Sequence, residues 1–365
     1  MSENCCTPNS GCCTEKIEEM QNRNSCCSET SEKPQDKTDI TNVSTSLTSG
    51  DILGAWKVRW GIGRMGYTVQ PGIFAVGKPN GDSPVLVSAN YKLTFDVLRK
   101  NLLGLDCWLL ILDTKGVNVW CAAGKGTFGT DELVNRIEVV GLSDVVNHRT
   151  LILPQLGAVG VNSHEVVKRT GFSVTFGPVE AEDIQVFIAD GYKATKEMRR
   201  VKFTFKDRLV LTPMELVPAI KMSLPILGGV FLTKQIAKRP FSKSDIAAYA
   251  GAILTGSVIT PMLLPYIPFK AFAWKGWLTG AIGTAGILGL TGGFKKGNRV
   301  MSAGQLLLFP AFSSFLAMNF TGASTYTSPS GVKKEMKNAL PFIIGAGAFG
   351  AALMLGSHFF GKGKR

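Results

Sequence analysis

The sequence predicts an α/β domain on a parallel sheet, followed by an all-α domain of five transmembrane helices and preceded by a disordered N-terminal tail. Three observations predict it. From about residue 84 to 208 short apolar runs alternate with amphipathic ones, a strand and helix alternation that implies a parallel sheet covered on both faces. Five apolar stretches follow, at about 216–233, 246–266, 272–291, 301–321 and 339–359, each near the roughly 20 residues that a bilayer span needs. Charge divides at the same boundary: residues 209–365 hold sixteen Lys/Arg against three Asp/Glu, a balance of +13 that equals that of the whole chain, while residues 1–208 hold 24 of each sign.

Residues 1–48 are Ser, Thr, Asn, Glu and Lys with almost no large apolar side chains, a composition that cannot offset chain entropy by burial. The segment has no apolar h-region and does not read as a signal peptide. The α/β domain is assigned to residues 51–208. Its lead-in, 51–80, mixes Trp56, Trp60 and Tyr67 with Gly61, Gly63, Gly66 and Pro71-Gly72, which suggests short strands and turns. Then come a strand at Val85-Leu86-Val87, a helix around Phe95, Val97 and Leu98, and a strand at Trp108–Leu112. A helix follows with Thr130 as its cap and Asp131 and Glu132 in its positive first turn. The strand Leu151–Leu153, a helix from Ser163 to a stop at Gly171, a strand at Phe172–Phe176 and a helix over 180–190 complete it.

The transmembrane domain is assigned to residues 214–360. Gly280, Gly283, Gly286, Gly289, Gly345, Gly347 and Gly350 fit close helix packing. Lys221 is the one charge well inside a span; it reads either as an ion or proton site or as a snorkelling side chain. With five spans, twelve Lys/Arg fall on the side of the α/β domain and ten on the other, so charge alone does not orient the chain. The basicity punctuates apolar runs rather than interleaving with aromatics, which argues against nucleic-acid binding.

Six of the eight cysteines lie in the first 27 residues, as the pairs Cys5-Cys6, Cys12-Cys13 and Cys26-Cys27. Adjacent cysteines are poorly placed for a relaxed mutual disulfide, whereas thiolates from different pairs can close around a soft ion such as Hg(II). The remaining two are Cys107 and Cys121, and no secreted disulfide framework is present.

After the strand ending at Leu112 the chain reads Asp113-Thr114-Lys115-Gly116-Val117-Asn118-Val119-Trp120-Cys121-Ala122-Ala123-Gly124-Lys125-Gly126-Thr127. A cysteine in a Gly/Ala-rich segment beyond a buried strand stands where a flat ligand can approach the backbone; a buried, inert cysteine fits the same spacing. The phosphate-loop pattern fails, because Val119 stands where its first glycine belongs. CxxC and HExxH are absent, and His148, His164 and His358 form no ligand set.

Asn118-Val119-Trp120-Cys121-Ala122-Ala123-Gly124-Lys125 resembles the cap-helix motif of the HgcA family, the membrane-bound corrinoid proteins of mercury methylation. The resemblance extends over Ser88-Ala89-Asn90-Tyr91-Lys92-Leu93-Thr94, Leu153-Pro154-Gln155-Leu156-Gly157-Ala158 and the five-span tail, and covers roughly residues 51–359. The α/β domain is also similar to the corrinoid-binding domain of the corrinoid iron–sulfur protein of the acetyl-CoA pathway. That relative carries its own iron–sulfur cluster, for which this chain has no C-x₂-C-x₂-C run.

The resemblance implies a Rossmann-like, corrinoid-binding domain and a corrinoid-dependent methyltransferase that methylates Hg(II). It implies a cobalamin-type cofactor whose cobalt takes the Cys121 thiolate as lower axial ligand, a strong charged donor opposite the methyl group. Trp120, Ala122, Ala123 and Gly124, with Asn118 and Val119, would form a flat cap helix beneath the ring. Ser88, Asn90, Tyr91 and Thr94 would edge it, and Gln155, Leu156 and Gly157 would lie near its nucleotide tail. A ferredoxin-like protein with two [4Fe-4S] clusters would supply electrons, and a methyltetrahydrofolate-dependent system the methyl group. Both place the α/β domain in the cytoplasm of an anaerobe, at the inner membrane. Two other readings stand beside it: a membrane-anchored corrinoid methyl carrier of the acetyl-CoA pathway, and a thiophilic metal transporter with a Cys-rich tail. The spans contain no cysteine, which counts against the transporter.

Overall fold

The computed structural model describes residues 40–295 and 297–360; the three tail cysteine pairs, and the soft-metal role expected of them, lie outside the described residues. Six strands form one sheet: β1 (Thr41–Asn42), β2 (Gly72–Val76), β3 (Val85–Ala89), β4 (Cys107–Leu112), β5 (Thr150–Leu153) and β6 (Ser173–Phe176), in the order β1-β2-β4-β3-β5-β6. Strands β3 to β6 are parallel where they pair, but β2 runs antiparallel to β4. The expected all-parallel sheet is therefore mixed. A parallel return needs roughly a dozen residues or more, and only residues 77–84 separate β2 from β3.

Strands β3 and β4 are buried along their whole length, as expected of central strands covered on both faces. Alternate side chains serve two cores. Val85, Val87, Leu110 and Leu112 join Val119, Ala122 and Leu133 on one face; Leu86, Leu109 and Ile111 join Phe95, Leu98 and Phe187 on the other. The covering helices are α2 (Lys92–Lys100), α3 (Val119–Lys125), α4 (Thr130–Val139), α5 (Ser163–Thr170) and α6 (Ile184–Ala189), preceded by α1 (Ser49–Arg59).

Helix α1 replaces the short strands expected after residue 50. Its start is written in a capping box, Thr48 accepting from the Asp51 N–H while the Asp51 carboxylate accepts from Thr48. Asp51 also pairs with Lys92 at 2.6 Å and Arg99 at 2.8 Å, and Asp96 pairs with the same two cations. The Lys92 ammonium holds the Asp51 carboxyl far below the usual carboxylate range. Arg99 further donates to the carbonyls of Ser44 and Ser46, so residues 40–48, polar as they are, take part in the α/β unit. Gly129, not Thr130, occupies the cap position of α4, and the helix expected over 180–190 is a 3₁₀ turn, Ala181–Asp183, followed by α6.

Five helical segments follow, one in each apolar stretch: α7 (Phe205–Ile236), α8 (Lys243–Leu254) with a π turn at Thr255–Ile259 and a last turn at Thr260–Met262, α9 (Phe272–Leu290), α10 (Arg299–Asn319) and α11 (Pro329–Phe360). Among the described residues three segments are long and apolar enough to cross a membrane, Phe205–Ile236, Arg299–Ala323 and Ser330–Ser357, against the five expected. The π turn interrupts α8, and the 19 residues of α9 are diluted by glycine, threonine and Lys275. Lys221 is exposed on α7, the position of a snorkelling side chain rather than of an ion site inside the bundle.

Close packing falls on some of the glycines named from sequence. A Cβ on Gly280 would meet Ser313 Cβ at 2.5 Å, one on Gly283 would meet Thr255 Cγ2 at 2.8 Å, and one on Gly350 would meet the Gly304 carbonyl at 2.7 Å. Gly286 and Gly345 face open space.

Candidate functional site

The carboxyl ends of β3, β4 and β5 share one edge of the sheet, the edge at which ligands of open α/β sheets bind. There the chain leaving β4 makes a tight loop organised by Asn90. The Asn90 side-chain oxygen accepts from Thr114 N at 3.1 Å, Thr114 Oγ1 at 2.9 Å and Gly116 N at 3.0 Å, and its amide donates to Asp113 at 3.1 Å. Burial opposes ionisation of Asp113, but the Lys115 ammonium and backbone N–H outweigh it and hold the carboxyl below its ordinary value. Asn90 is buried, so its polar atoms build the loop and do not edge an open site.

That loop delivers Asn118, whose side chain accepts from the Cys121 N–H at 2.9 Å and caps α3. Gly126, in the left-handed region at φ 84°, ends the helix. Val119, Ala122 and Ala123 face down onto the sheet and are buried, while Trp120, Cys121 and Gly124 face outward. Small side chains beneath let α3 lie close to the sheet. On top, the Cys121 thiol is exposed, and a Cβ on Gly124 would meet nothing within 4 Å. The outward surface of α3 is a bare thiol beside a bare backbone turn, flanked by an indole.

The seat of α3 is fixed from the next strand end. The 3₁₀ turn Gln155–Gly157 follows β5, and Gly157 lies so close to Phe128 that an added Cβ would stand 2.5 Å from the ring. At Gly160 a Cβ would stand 2.1 Å from the Phe128 carbonyl oxygen and 3.1 Å from Ala123 Cα. Both positions require glycine by close approach of backbones.

Beside α3 a cavity of about 390 Å³ opens between β3, β5, α2 and the segment after β6. Among its lining are Ser88, Tyr91, Thr94, Asn118, Val119, Trp120 and Leu156, brought together as the sequence suggested. Asn90, Cys121, Ala122, Ala123, Gly124, Gln155 and Gly157 are not part of that lining. Gln155 instead accepts from Arg199 at 2.9 Å. The cavity also takes Arg59 from the end of α1 and Gly177–Glu180 from the end of β6, none of which sequence reasoning singled out. The rule that ligands sit beyond strand carboxyl ends pointed to Gly177–Glu180; nothing in the local pattern marked Arg59. Burial pushes the Glu180 carboxyl up.

The two described cysteines differ in environment. Cys107, at the start of β4, is buried, and burial pushes its thiol up to about 12, which makes it inert. Cys121 is the exposed one, so the buried-cysteine reading of its spacing does not hold. Among the described residues no three His, Cys, Asp or Glu side chains gather as a metal cage; Cys121 offers a single donor.

Residues 62–188, which contain α3 and nearly all of the cavity, match the family model described as CO dehydrogenase/acetyl-CoA synthase delta subunit. The chain is 33% identical over 122 residues to the acetyl-CoA decarbonylase/synthase complex subunit gamma of Methanopyrus kandleri, covering 33% of this chain and 26% of the relative. The subunit gamma of Methanocaldococcus jannaschii is 31% identical over 137 residues, with coverages of 36% and 27%. That of Methanosarcina acetivorans is 34% identical over 118 residues, with coverages of 31% and 25%. The chain spans about a quarter of the length of these relatives. The part of the chain that carries the candidate site is thus similar to a segment of acetyl-CoA decarbonylase/synthase subunits, and the helices from Phe205 onward lie outside the matched family segment.

Proposed function

We propose that this chain is a membrane-anchored, corrinoid-dependent methyltransferase whose methyl acceptor is Hg(II). The observation that supports corrinoid binding is the outward, exposed Cys121 on a flat helix at the carboxyl edge of the sheet; Hg(II) as acceptor rests on the resemblance carried by Asn118–Lys125. The residues present fit the group. A corrinoid needs a broad seat with one donor at its centre, and on the outward face of α3 the Cys121 thiol is the one soft donor, beside the uncovered turn at Gly124 and flanked by the Trp120 indole. The adjoining cavity has room for a ligand's appendage, edged by Ser88, Tyr91, Thr94 and Leu156.

A bound corrinoid would supply a cobalt-carried methyl group to an electrophilic acceptor. Cys121 would hold the cobalt through its sulfur, a soft donor. Asn118 orients it by fixing the Cys121 N–H at the first turn of α3, and Asn90 holds the loop that places Asn118. The five helical segments from Phe205 on form the membrane domain, with the α/β unit on the cytoplasmic side, where a ferredoxin-like protein with two [4Fe-4S] clusters and a methyltetrahydrofolate-dependent donor act on it. The tail cysteines Cys5, Cys6, Cys12, Cys13, Cys26 and Cys27 are proposed to capture Hg(II) for delivery.

A second reading is favoured by the names of the relatives: a membrane-anchored corrinoid methyl carrier that serves acetyl-CoA synthesis. The two are separated by the fate of the methyl group. Full-length protein loaded with isotopically labelled methyl is offered Hg(II), and in parallel an acetyl-CoA-forming partner with CO and coenzyme A. Labelled methylmercury is the expected product. Label in acetyl-CoA, with Hg(II) left unmethylated, would establish the carrier instead.

A further inference from the structure

Helix α1 turns its apolar side away from the protein. Ile52, Leu53 and Trp56 are each more than half exposed, as are Ile62 and Met65 just beyond the helix. At 100° per residue Ile52, Leu53, Trp56 and Trp60 fall within an arc of about 100°, the width of a stripe that ordinarily faces a core. The opposite side meets the domain: Val58 is buried, and Asp51 is tied to Lys92 and Arg99. Five large apolar side chains on so short a stretch form a patch of the kind that marks an interaction surface.

Three features identify what covers it. The first is position, since α1 packs against α7, a helix long and apolar enough to cross a membrane. On α7 Ile220, Met222 and Leu224 are exposed as well, so both elements present apolar side chains to their surroundings. The second is aromatic content, because Trp56 and Trp60 pack together with ring centroids 5.9 Å apart, and tryptophan concentrates at the boundary between headgroups and acyl chains. The third is charge: Lys57, Arg59 and Arg64 lie in this segment, and no Asp or Glu occurs from residue 52 to 70. An apolar face bordered by cations suits a surface of anionic lipid.

We propose that residues 49–65 form an interfacial element that lies in the headgroup layer of the bilayer, with Ile52, Leu53, Trp56 and Trp60 entering the acyl boundary and Lys57 and Arg64 on anionic headgroups. The element is rigidly joined to the candidate site. The Asp51, Lys92, Asp96 and Arg99 network clamps α1 to α2, and Arg59 at the end of α1 lines the cavity. Immersion of α1 therefore fixes the angle and height at which the mouth of the cavity stands above the membrane.

The test uses the full chain reconstituted into vesicles of phosphatidylethanolamine and phosphatidylglycerol, with a photoreactive benzophenone amino acid in place of Trp56, of Met222 on α7, or of Lys168 on α5. Irradiation followed by mass spectrometry is expected to give lipid adducts at positions 56 and 222 and none at 168. The ratio of phosphatidylglycerol to phosphatidylethanolamine adducts at position 56 should exceed the bulk lipid ratio about fivefold, as one cation near an anionic surface implies. The same replacement at Ile52 reads the same face in a second variant. Lipid adducts at 222 together with polypeptide adducts, or none, at both 52 and 56 would overturn the proposal and assign the face to a protein partner or to water.

Discussion

Cys121→Ala is expected to abolish methyl transfer, with a fall in rate of about 100-fold or more. The fold should be unaffected, since the thiol is exposed and Cys121 takes part in the cap of α3 only through its backbone N–H. Alanine also favours the helix. Cys121→His is expected to keep the corrinoid with an altered spectrum, because imidazole also ligates cobalt. Cys107→Ala makes the contrast: it removes a buried sulfur and costs stability through a small cavity, yet should leave the rate per folded molecule unchanged. Rates measured with loaded protein under reducing, anaerobic conditions check all three. A Cys121→Ala variant as fast as the wild type would remove the thiolate from the mechanism.

The second large effect comes from two glycines on opposite faces of α3, Gly124 on its outer face and Gly160 packed against Ala123. Gly124→Ala adds a methyl where nothing stands within 4 Å. It should leave the thermal midpoint the same or raise it, since alanine is preferred over glycine in a helix by about 1 kcal/mol. Corrinoid retention should nonetheless fall, because the added methyl occupies the face that a flat ligand needs. Gly160→Ala adds a methyl 2.1 Å from the Phe128 carbonyl oxygen and 3.1 Å from Ala123 Cα. Backbone cannot yield there cheaply, so α3 must lift, at a cost of about 1–3 kcal/mol. Both variants should lose corrinoid while only Gly160→Ala loses stability. Gel-filtration retention of cobalamin beside thermal unfolding separates the two, and full retention by Gly124→Ala would move the ligand off the outer face of α3.

Which parts of the structure were legible in the sequence follows from how local each signal was. The runs at Val85 and Trp108–Leu112 announced β3 and β4, because central strands are buried on both faces and read as continuous apolar stretches. Gly171 stopped α5 where a left-handed cap was needed, at φ 76°. Helix α1 is announced only by its Thr48 and Asp51 capping box, because the Trp and Gly residues around position 60 carry a strand-and-turn composition. The direction of β2 depended on the length of the link to β3, a long-range constraint that no strand pattern carries. The apolar stretches marked five spans, of which three are long and apolar enough among the described residues; a π turn at Thr255–Ile259, where Thr255 hydrogen-bonds Ser313 on α10 at 3.0 Å, interrupts α8.

At the site the same division holds. The motif placed Cys121 beyond a strand end, but seven residues of helix are too few for periodicity to say which side faces solvent. The resemblance implied Asn90 as a ligand contact, and the structure spends it on Thr114 and Gly116, residues distant in sequence. Arg59 reaches the cavity only because α1 folds back over α2, held there by Asp51.

The most direct test of the central assignment, a corrinoid held on the Cys121 sulfur, is the ultraviolet–visible spectrum of the purified full chain after incubation with cobalamin and gel filtration. The account predicts stoichiometric retention with a spectrum distinct from that of free cobalamin, changed again by Cys121→Ala and by Cys121→His. Absence of retained corrinoid, or one spectrum shared by the wild type and Cys121→Ala, would contradict it.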